Sequence, residues 1–212
     1  MGASRGLEAR ARPLLAFAAA MTHGRLGPAA RALGAARRAG IPRRAAEETA
    51  LMLVLHAGYP TALEGARVLH QAWPGRARRT REGTPRDWMR RGERRLARVY
   101  GAATPRLRRN VRALHPDLAR WMIEQGYGRV LSRGGLGAAT RELVAVAVLA
   151  ATGWERQLVS HLLGAARLGA PRAAIRGALA AGTRGGGAAL AATGARAWRT
   201  AFGAAPREGG RV

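Results

Sequence analysis

The stretch TRELVAVAVLAATGWERQLVSH, residues 140–161, decides the fold because a long apolar run is followed by a glycine and a second helical pattern. Gly153 is the expected turn between two antiparallel helices that pack in the core. The stretch carries an acid near one end, Glu142, and a base at the other, His161, and both are costly to bury without a partner. At a rise of about 1.5 Å per residue they lie roughly 16 and roughly 12 Å from the turn, so the two side chains can meet.

The composition indicates a folded and strongly basic protein. Of the 212 residues 48% are apolar, which excludes wholesale disorder, and the formal net charge is +25. All 37 basic residues are arginine, a pattern that fits GC-rich codon usage better than selection for one partner. The charge still implies attraction to nucleic acid, anionic lipid and carboxylate substrates. Cysteine is absent, which excludes disulfides, thiolate metal sites and thiol redox chemistry.

The chain contains one pattern twice, at an offset of 129 residues and without a gap. The glycines and prolines are the persuasive matches, because these residues punctuate helices. The matched pairs are Gly24 with Gly153, Gly40 with Gly169, Pro42 with Pro171, and Gly58 with Gly187. Each copy reads as a helix, a glycine turn, a second helix, a Gly-x-Pro break and a third helix. The sequence thus predicts an all-α protein, a helical bundle of two tandem modules.

Three regions follow from the repeat: a first module over 8–72, a basic Arg-rich linker over 73–106 and a second module over 107–204. Prolines and glycines break regular structure at the start of the linker, and residues 86–99 are predicted as a basic helix. We expect any non-specific binding of nucleic acid or another polyanion to reside in this linker.

The amino-terminal stretch MGASRGLEARARPLLAFAAAM superficially imitates a secretory signal, since arginines precede a short apolar run. The repeat makes this run the first copy of a domain helix instead. No apolar run reaches the roughly eighteen residues that a membrane span needs. We therefore expect a soluble, cytoplasmic protein with no membrane partner.

Glu142 and His161 are a candidate acid–base pair. His161 shares one inward-facing stripe of its helix with Trp154 and Leu158. A neutral imidazole that is hydrogen-bonded to a carboxylate is able to pass a proton. The structural alternative is that Glu142 merely suits the first turn of its helix and that His161 is a satisfied core residue. No group of His, Asp and Glu has the spacing of metal ligands, so no metal is expected.

Two stretches resemble carboxymuconolactone decarboxylase and its relatives, the alkylhydroperoxidase D-like proteins. They are AEETALMLVLHAGYPTALEGARVL, residues 46–69, and GYGRVLSRGGLGAATRELVAVAVLAATGWERQLVSHLLGAARLGA, residues 126–170. The likeness spans several motifs in order and covers most of the chain outside the linker and tails.

The resemblance separates two branches of that family. In the peroxidase branch a glutamate is followed on the next helix by Cys-x-x-Cys and then by histidine. Glu142 and His161 match the outer positions, whereas Trp154 and Gln157 stand at the cysteine positions, so a thiol peroxidase is excluded. The decarboxylase branch implies a lyase without a cofactor that removes carbon dioxide from a carboxylated lactone or a related small carboxylate.

The resemblance also implies roles for individual residues. His161 is the acid that protonates carbon, Glu142 orients and recharges it, and Trp154 is the pocket wall. The other substrate-binding candidates are Gln157, Arg141 and Arg156. The two arginines either hold substrate carboxylates in a two-pronged way or are ordinary solvated helix residues.

Several alternatives stay open at this point. Pro13 and Ala32 occupy the Glu and His positions of the first module, so we expect only the second module to be active. His56 and His70 either line the other side of the cavity or are structural. The two-module arrangement resembles that of alkylhydroperoxidase D, which implies a homo-trimer. The rival functions are a non-catalytic oligomeric scaffold and a basic module that binds nucleic acid or another polyanion.

Overall fold

The protein is built from helices, without a strand, over the residues that its computed structural model describes, which are 2–77 and 79–203. The predicted all-α fold class is confirmed. Residue 204, the last of the predicted second module, lies outside the described residues. Within them, no helix carries an apolar stretch long enough to cross a bilayer.

Short turns join most of the helices. In chain order they are α1 Gly2–Thr22, α2 Leu26–Arg38, α3 Arg43–His56, α4 Gly58–Ala72, α5 Pro85–Tyr100, α6 Thr104–Leu114, α7 Pro116–Trp121, α8 Ala138–Thr152, α9 Glu155–Arg167, α10 Arg172–Thr183 and α11 Gly187–Phe202. A short 3₁₀ turn, Gly101–Ala103, precedes α6. A π-helical segment, Met122–Val130, continues α7.

The helix starts repeat with the offset of the sequence repeat. Helices α2 and α9 begin and end 129 residues apart, and α3 with α10 and α4 with α11 begin 129 residues apart. The matched glycines all have positive φ, which a glycine adopts without strain, as in Gly24 and Gly153 at 69° and 77°. These bounds support the two-module interpretation. The division into two folding units stays a prediction.

Helix α8 lies at the centre of the bundle. Every residue from Thr140 to Ala151 is buried, and the helix packs against α1, α3, α9, α10 and α11. A helix that is surrounded on all sides needs no polar face, which accounts for the apolar run in the sequence. Its two buried charged residues, Arg141 and Glu142, each have a buried partner.

Helix α5 belongs to the bundle, although its charge placed it in the predicted linker. Thr84 and Asp87 form a capping box at its start, which satisfies backbone N–H groups that would otherwise lack partners. Leu96 and Val99 are fully buried, and the helix packs against α9 and the π-helical segment. The predicted linker over 73–106 therefore contains a helix that packs on the bundle through a buried stripe among its arginines.

Two glycines let α5 cross the π-helical segment in backbone contact. A Cβ atom on Gly92 would clash with the carbonyl oxygen of Ile123, and one on Gly128 would clash with that of Trp88. Gly128 does not end a helix. Its role is to permit this crossing, and the helix continues past it in π geometry.

Helices α6 and α7 lie on the outside of the bundle. Neither contains a buried residue, and α6 packs only on α5, α7 and the 3₁₀ turn within the described residues. The apolar side chains of Leu114 and Trp121 are 76% and 50% exposed. This part of the fold therefore contributes little buried apolar surface to the core.

Candidate functional site

Helices α8 and α9 bring Glu142 and His161 together. The Nδ1 of His161 and the Oε2 of Glu142 lie 2.8 Å apart, and both side chains are buried. Because a carboxylate accepts, Nδ1 carries the hydrogen and Nε2 is the ring nitrogen left for a ligand. Gly164, one turn further along α9, provides the space, since a Cβ there would stand 2.8 Å from the same carboxylate oxygen.

His161 lines a cavity of about 510 Å³. The wall is formed by α3, α5, α6, α9 and the π-helical segment, with apolar side chains over much of it. Its other polar lining comprises His56, Tyr100, Asn110, Tyr127, Arg156, Gln157 and Ser160. A largely apolar cavity with a few convergent polar groups is the usual form of a small-molecule site.

The segment that carries the pair matches a known family. Residues 116–205 match the model of the carboxymuconolactone decarboxylase family. This part of the chain is similar to the carboxymuconolactone decarboxylase family. The resemblance stated from the sequence is thereby confirmed for it, and the absence of cysteine distinguishes it from members with Cys-x-x-Cys. No curated protein matches the chain.

The matched segment, residues 116–205, does not enclose the cavity alone. Glu142 and His161 lie within the matched range, whereas His56 and Tyr100 precede it. His56 ends α3, in the first predicted module, more than a hundred residues before His161. The amino-terminal helices therefore supply part of the wall.

His56 stands edge-on to His161. The ring centroids are 5.3 Å apart and the rings are inclined at 84°. Burial, and then the neighbouring His161, lower the pKa of His56 to about 3, so the ring is neutral around pH 7. Its Nε2 is buried and has no hydrogen-bond partner. Of the two roles left open for His56, the structure places it in the cavity wall.

Two tyrosines, Tyr100 and Tyr127, form another polar part of the cavity wall. The Tyr127 hydroxyl donates to the Tyr100 hydroxyl at 3.1 Å, and the rings meet edge to face. Burial raises the pKa of Tyr127 well above its ordinary value, and the pKa of Tyr100 is raised for the same main cause. Both phenols are therefore protonated around neutral pH. Sequence reasoning missed them as site residues, because a lone tyrosine in an arginine-rich or glycine-rich segment has no motif around it.

Arg141 does not reach the cavity. Its side chain is 1% exposed, and Nη2 donates to Glu48 at 3.0 Å and to the carbonyl oxygens of Arg133 and Gly134. Burial lowers the pKa of Arg141, although Glu48 acts in the opposite direction. Its Nη1 is buried without a hydrogen-bond partner, and the other guanidinium nitrogens are held inside the bundle, so Arg141 is neither solvated nor part of the cavity wall. A role in substrate binding stays a prediction.

Glu48 is the acid at the centre of this buried network. It is completely buried on α3 and forms ion pairs with Arg44, Arg133 and Arg141 at 2.7, 3.0 and 3.0 Å. Arg133 also pairs with Glu82. The network joins α3, which carries His56 at its end, to α8, which carries the acid of the pair.

Trp154 is not a wall of this cavity. It stands immediately before α9 as the N-cap residue, outside the helical stripe, and is 62% exposed. Gln157 and Arg156 do line the cavity, and both are exposed at its rim. His70 is exposed on α4 and does not line it. Over residues 2–77 and 79–203, no group of three or more His, Asp or Glu side chains is arranged to hold a metal ion.

Proposed function

We propose that the protein is a cofactor-free lyase that acts on a carboxylated lactone or a related small carboxylate by acid–base proton transfer. The observation that carries the proposal is the 2.8 Å hydrogen bond between Glu142 and a histidine that lines a cavity of about 510 Å³. The match of residues 116–205 to the model of the carboxymuconolactone decarboxylase family supports this choice, although the match alone specifies no activity.

The proton donor is His161. When the bond to the carboxylate breaks, carbon dioxide leaves and the electron pair passes into the conjugated lactone as a dienolate. The imidazolium then gives its Nε2 proton to carbon, and a proton from water restores it. Glu142 stabilises the imidazolium through Nδ1, since an adjacent opposite charge favours the charged form.

The other cavity residues hold and stabilise the substrate. Arg156 at the rim is the guanidinium that pairs with a substrate carboxylate. Because Tyr127 donates to Tyr100, the Tyr100 hydrogen is left for an acceptor in the cavity, which suits the developing dienolate oxygen. A neutral His56 adds no second positive charge beside His161.

Turnover of carboxylated lactones, followed as carbon dioxide release, tests the proposal. His161→Ala removes the proton donor and should lower kcat by about a hundredfold or more. Glu142→Gln keeps the shape and loses the charge, so it should also lower kcat. The double variant should be little worse than His161→Ala, because two residues that act as a unit give non-additive losses.

His70→Ala is the matched control, because His70 is exposed and lies outside the cavity. Its turnover should equal that of the wild type. Melting temperatures of all variants separate a catalytic loss from unfolding. If the wild type turns over no carboxylated lactone, or if His161→Ala retains full activity, the lyase proposal is wrong and a non-catalytic scaffold replaces it.

A further inference from the structure

We infer that the protein has a second binding site, for a phosphate or phosphomonoester group, in a pocket on α5 that shares no lining residue with the proposed lyase cavity. The pocket has a volume of about 270 Å³. Its lining comprises Arg91, Arg94, Arg95, Arg98 and Ser132.

The spacing of the arginines creates the site. Positions 91, 94, 95 and 98 follow the helical repeat of three and four residues, so all four side chains emerge on one face of α5. Ser132, just after the π-helical segment, closes the face into a concavity. Guanidinium groups are the donors that a tetrahedral oxyanion needs, and the four arginines supply them. The Ser132 hydroxyl already donates to the carbonyl oxygen of Tyr127, so Ser132 contributes shape and not a free hydrogen.

Within the described residues, the arginines of this pocket have no carboxylate partner in direct contact. In the described part of the chain, Arg94, Arg95 and Arg98 form no ion pair with a carboxylate. Each of the acids along and before α5 is paired with another arginine. The pairs are Glu82 with Arg129 and Arg133, Asp87 with Arg90, and Glu93 with Arg108. Arg91 donates to the backbone carbonyl oxygen of Glu82. The Glu82 carboxylate is therefore still paired with Arg129 and Arg133.

Arg95 is the innermost of the four. It is half-buried, whereas Arg94 and Arg98 are exposed. Burial lowers the pKa of Arg95, and repulsion from Arg98 lowers it further, whereas the more deeply buried Glu142 raises it. An anion in the pocket relieves the repulsion among cations that the fold holds together.

The shape favours a small phosphate group over a nucleic acid strand. A strand is held by a long groove and by aromatic side chains that stack on its bases. This pocket is small and has no aromatic lining. The inference therefore differs from non-specific polyanion attraction along the whole basic segment.

Calorimetric titration of the full chain with inorganic phosphate, at constant ionic strength, tests the site. We expect saturable binding at one site per chain. In Arg95→Gln the affinity for phosphate should be weaker than in the wild type by about tenfold or more, since one lost charged hydrogen bond is worth about that factor. Arg94→Gln removes an exposed side chain, so it should weaken binding without a change in melting temperature. Arg38→Gln, which removes an exposed arginine on α2, is the charge-matched control and should bind like the wild type.

Two further titrations distinguish the ligand and the mechanism. A small phosphomonoester that binds more tightly than inorganic phosphate identifies an organic phosphate as the ligand, and the reverse identifies the free anion. Equal weakening in all three variants would mean diffuse charge attraction and would overturn the site. An oligonucleotide that binds while millimolar phosphate neither binds nor competes would overturn it too. Neither result depends on lactone turnover, so this site and the lyase proposal fail separately.

Discussion

Replacing Glu48 by glutamine tests whether the buried arginine network holds the two halves of the bundle together. The change keeps the size of the side chain and removes the one negative charge that Arg141 contacts. Arg44 and Arg133 keep other acids, Glu47 and Glu82 respectively. Arg141 keeps none and is 1% exposed, so its charge is left buried without a counter-ion.

The expected loss of stability can be estimated from this geometry. Breaking a buried ion pair from one side costs roughly 3–5 kcal/mol. Arg141 still donates to the carbonyl oxygens of Arg133, Gly134 and Leu136, which places the loss near the lower end, about 3 kcal/mol. For a chain of this length the melting temperature should fall by about 6–12 °C.

Urea unfolding and calorimetry measure this loss. Glu64→Gln is the matched control, because Glu64 pairs with Arg67 on the surface of α4 and each side chain is 49% exposed. A surface pair contributes little to stability, because solvent screens it. If Glu48→Gln destabilises the protein no more than Glu64→Gln does, the buried network does not tie α3 to α8 and the reasoning is refuted.

Two further predictions concern packing and pH. Gly128→Ala should lower the free energy of unfolding in urea by about 3 kcal/mol or more, because the new Cβ clashes with the Trp88 carbonyl oxygen. Gly134→Ala is the control and should change this free energy by about 0.5 kcal/mol or less, because the space around Gly134 is open. Between pH of about 6.5 and about 3 the unfolded chain protonates His56 and the native state does not, so stability should fall as the pH falls through this range. His56→Leu should flatten that decline and His70→Leu should not; equal slopes in both variants would contradict a neutral, buried His56.

The central hairpin was predictable because local signals determine it. The apolar run ends at Gly153, which has φ of 77° at the C-cap of α8, as a turn between antiparallel helices requires. Counting residues from that turn placed Glu142 and His161 at matching depths, and they form a hydrogen bond. Periodicity was sufficient here, since both partners belong to adjacent helices.

The remaining parts of the site depend on contacts between distant segments. His56 lies next to His161 only because α3 packs on α8, and no local pattern encodes that packing. The burial of Arg141 could not be predicted from the sequence, because Glu48, the acid with which it pairs, is 93 residues away. Trp154 was predicted on the inward stripe of α9. It lies one position before the helix begins, and a residue outside the helix does not continue that stripe.

The loosely packed outer hairpin of α6 and α7 has a consequence for how this protein changes over evolution. Leu107, Asn110, Val111 and Leu114 of α6 line the cavity, yet no residue of α6 is buried. Surface substitutions away from packed features typically change stability by about 0.5 kcal/mol or less. The shape of the cavity can thus vary along α6 almost independently of foldability. The backbone contact at Gly92 and Gly128 instead fixes the two elements that carry Tyr100 and Tyr127. Substrate range in related chains should diversify first in this helix.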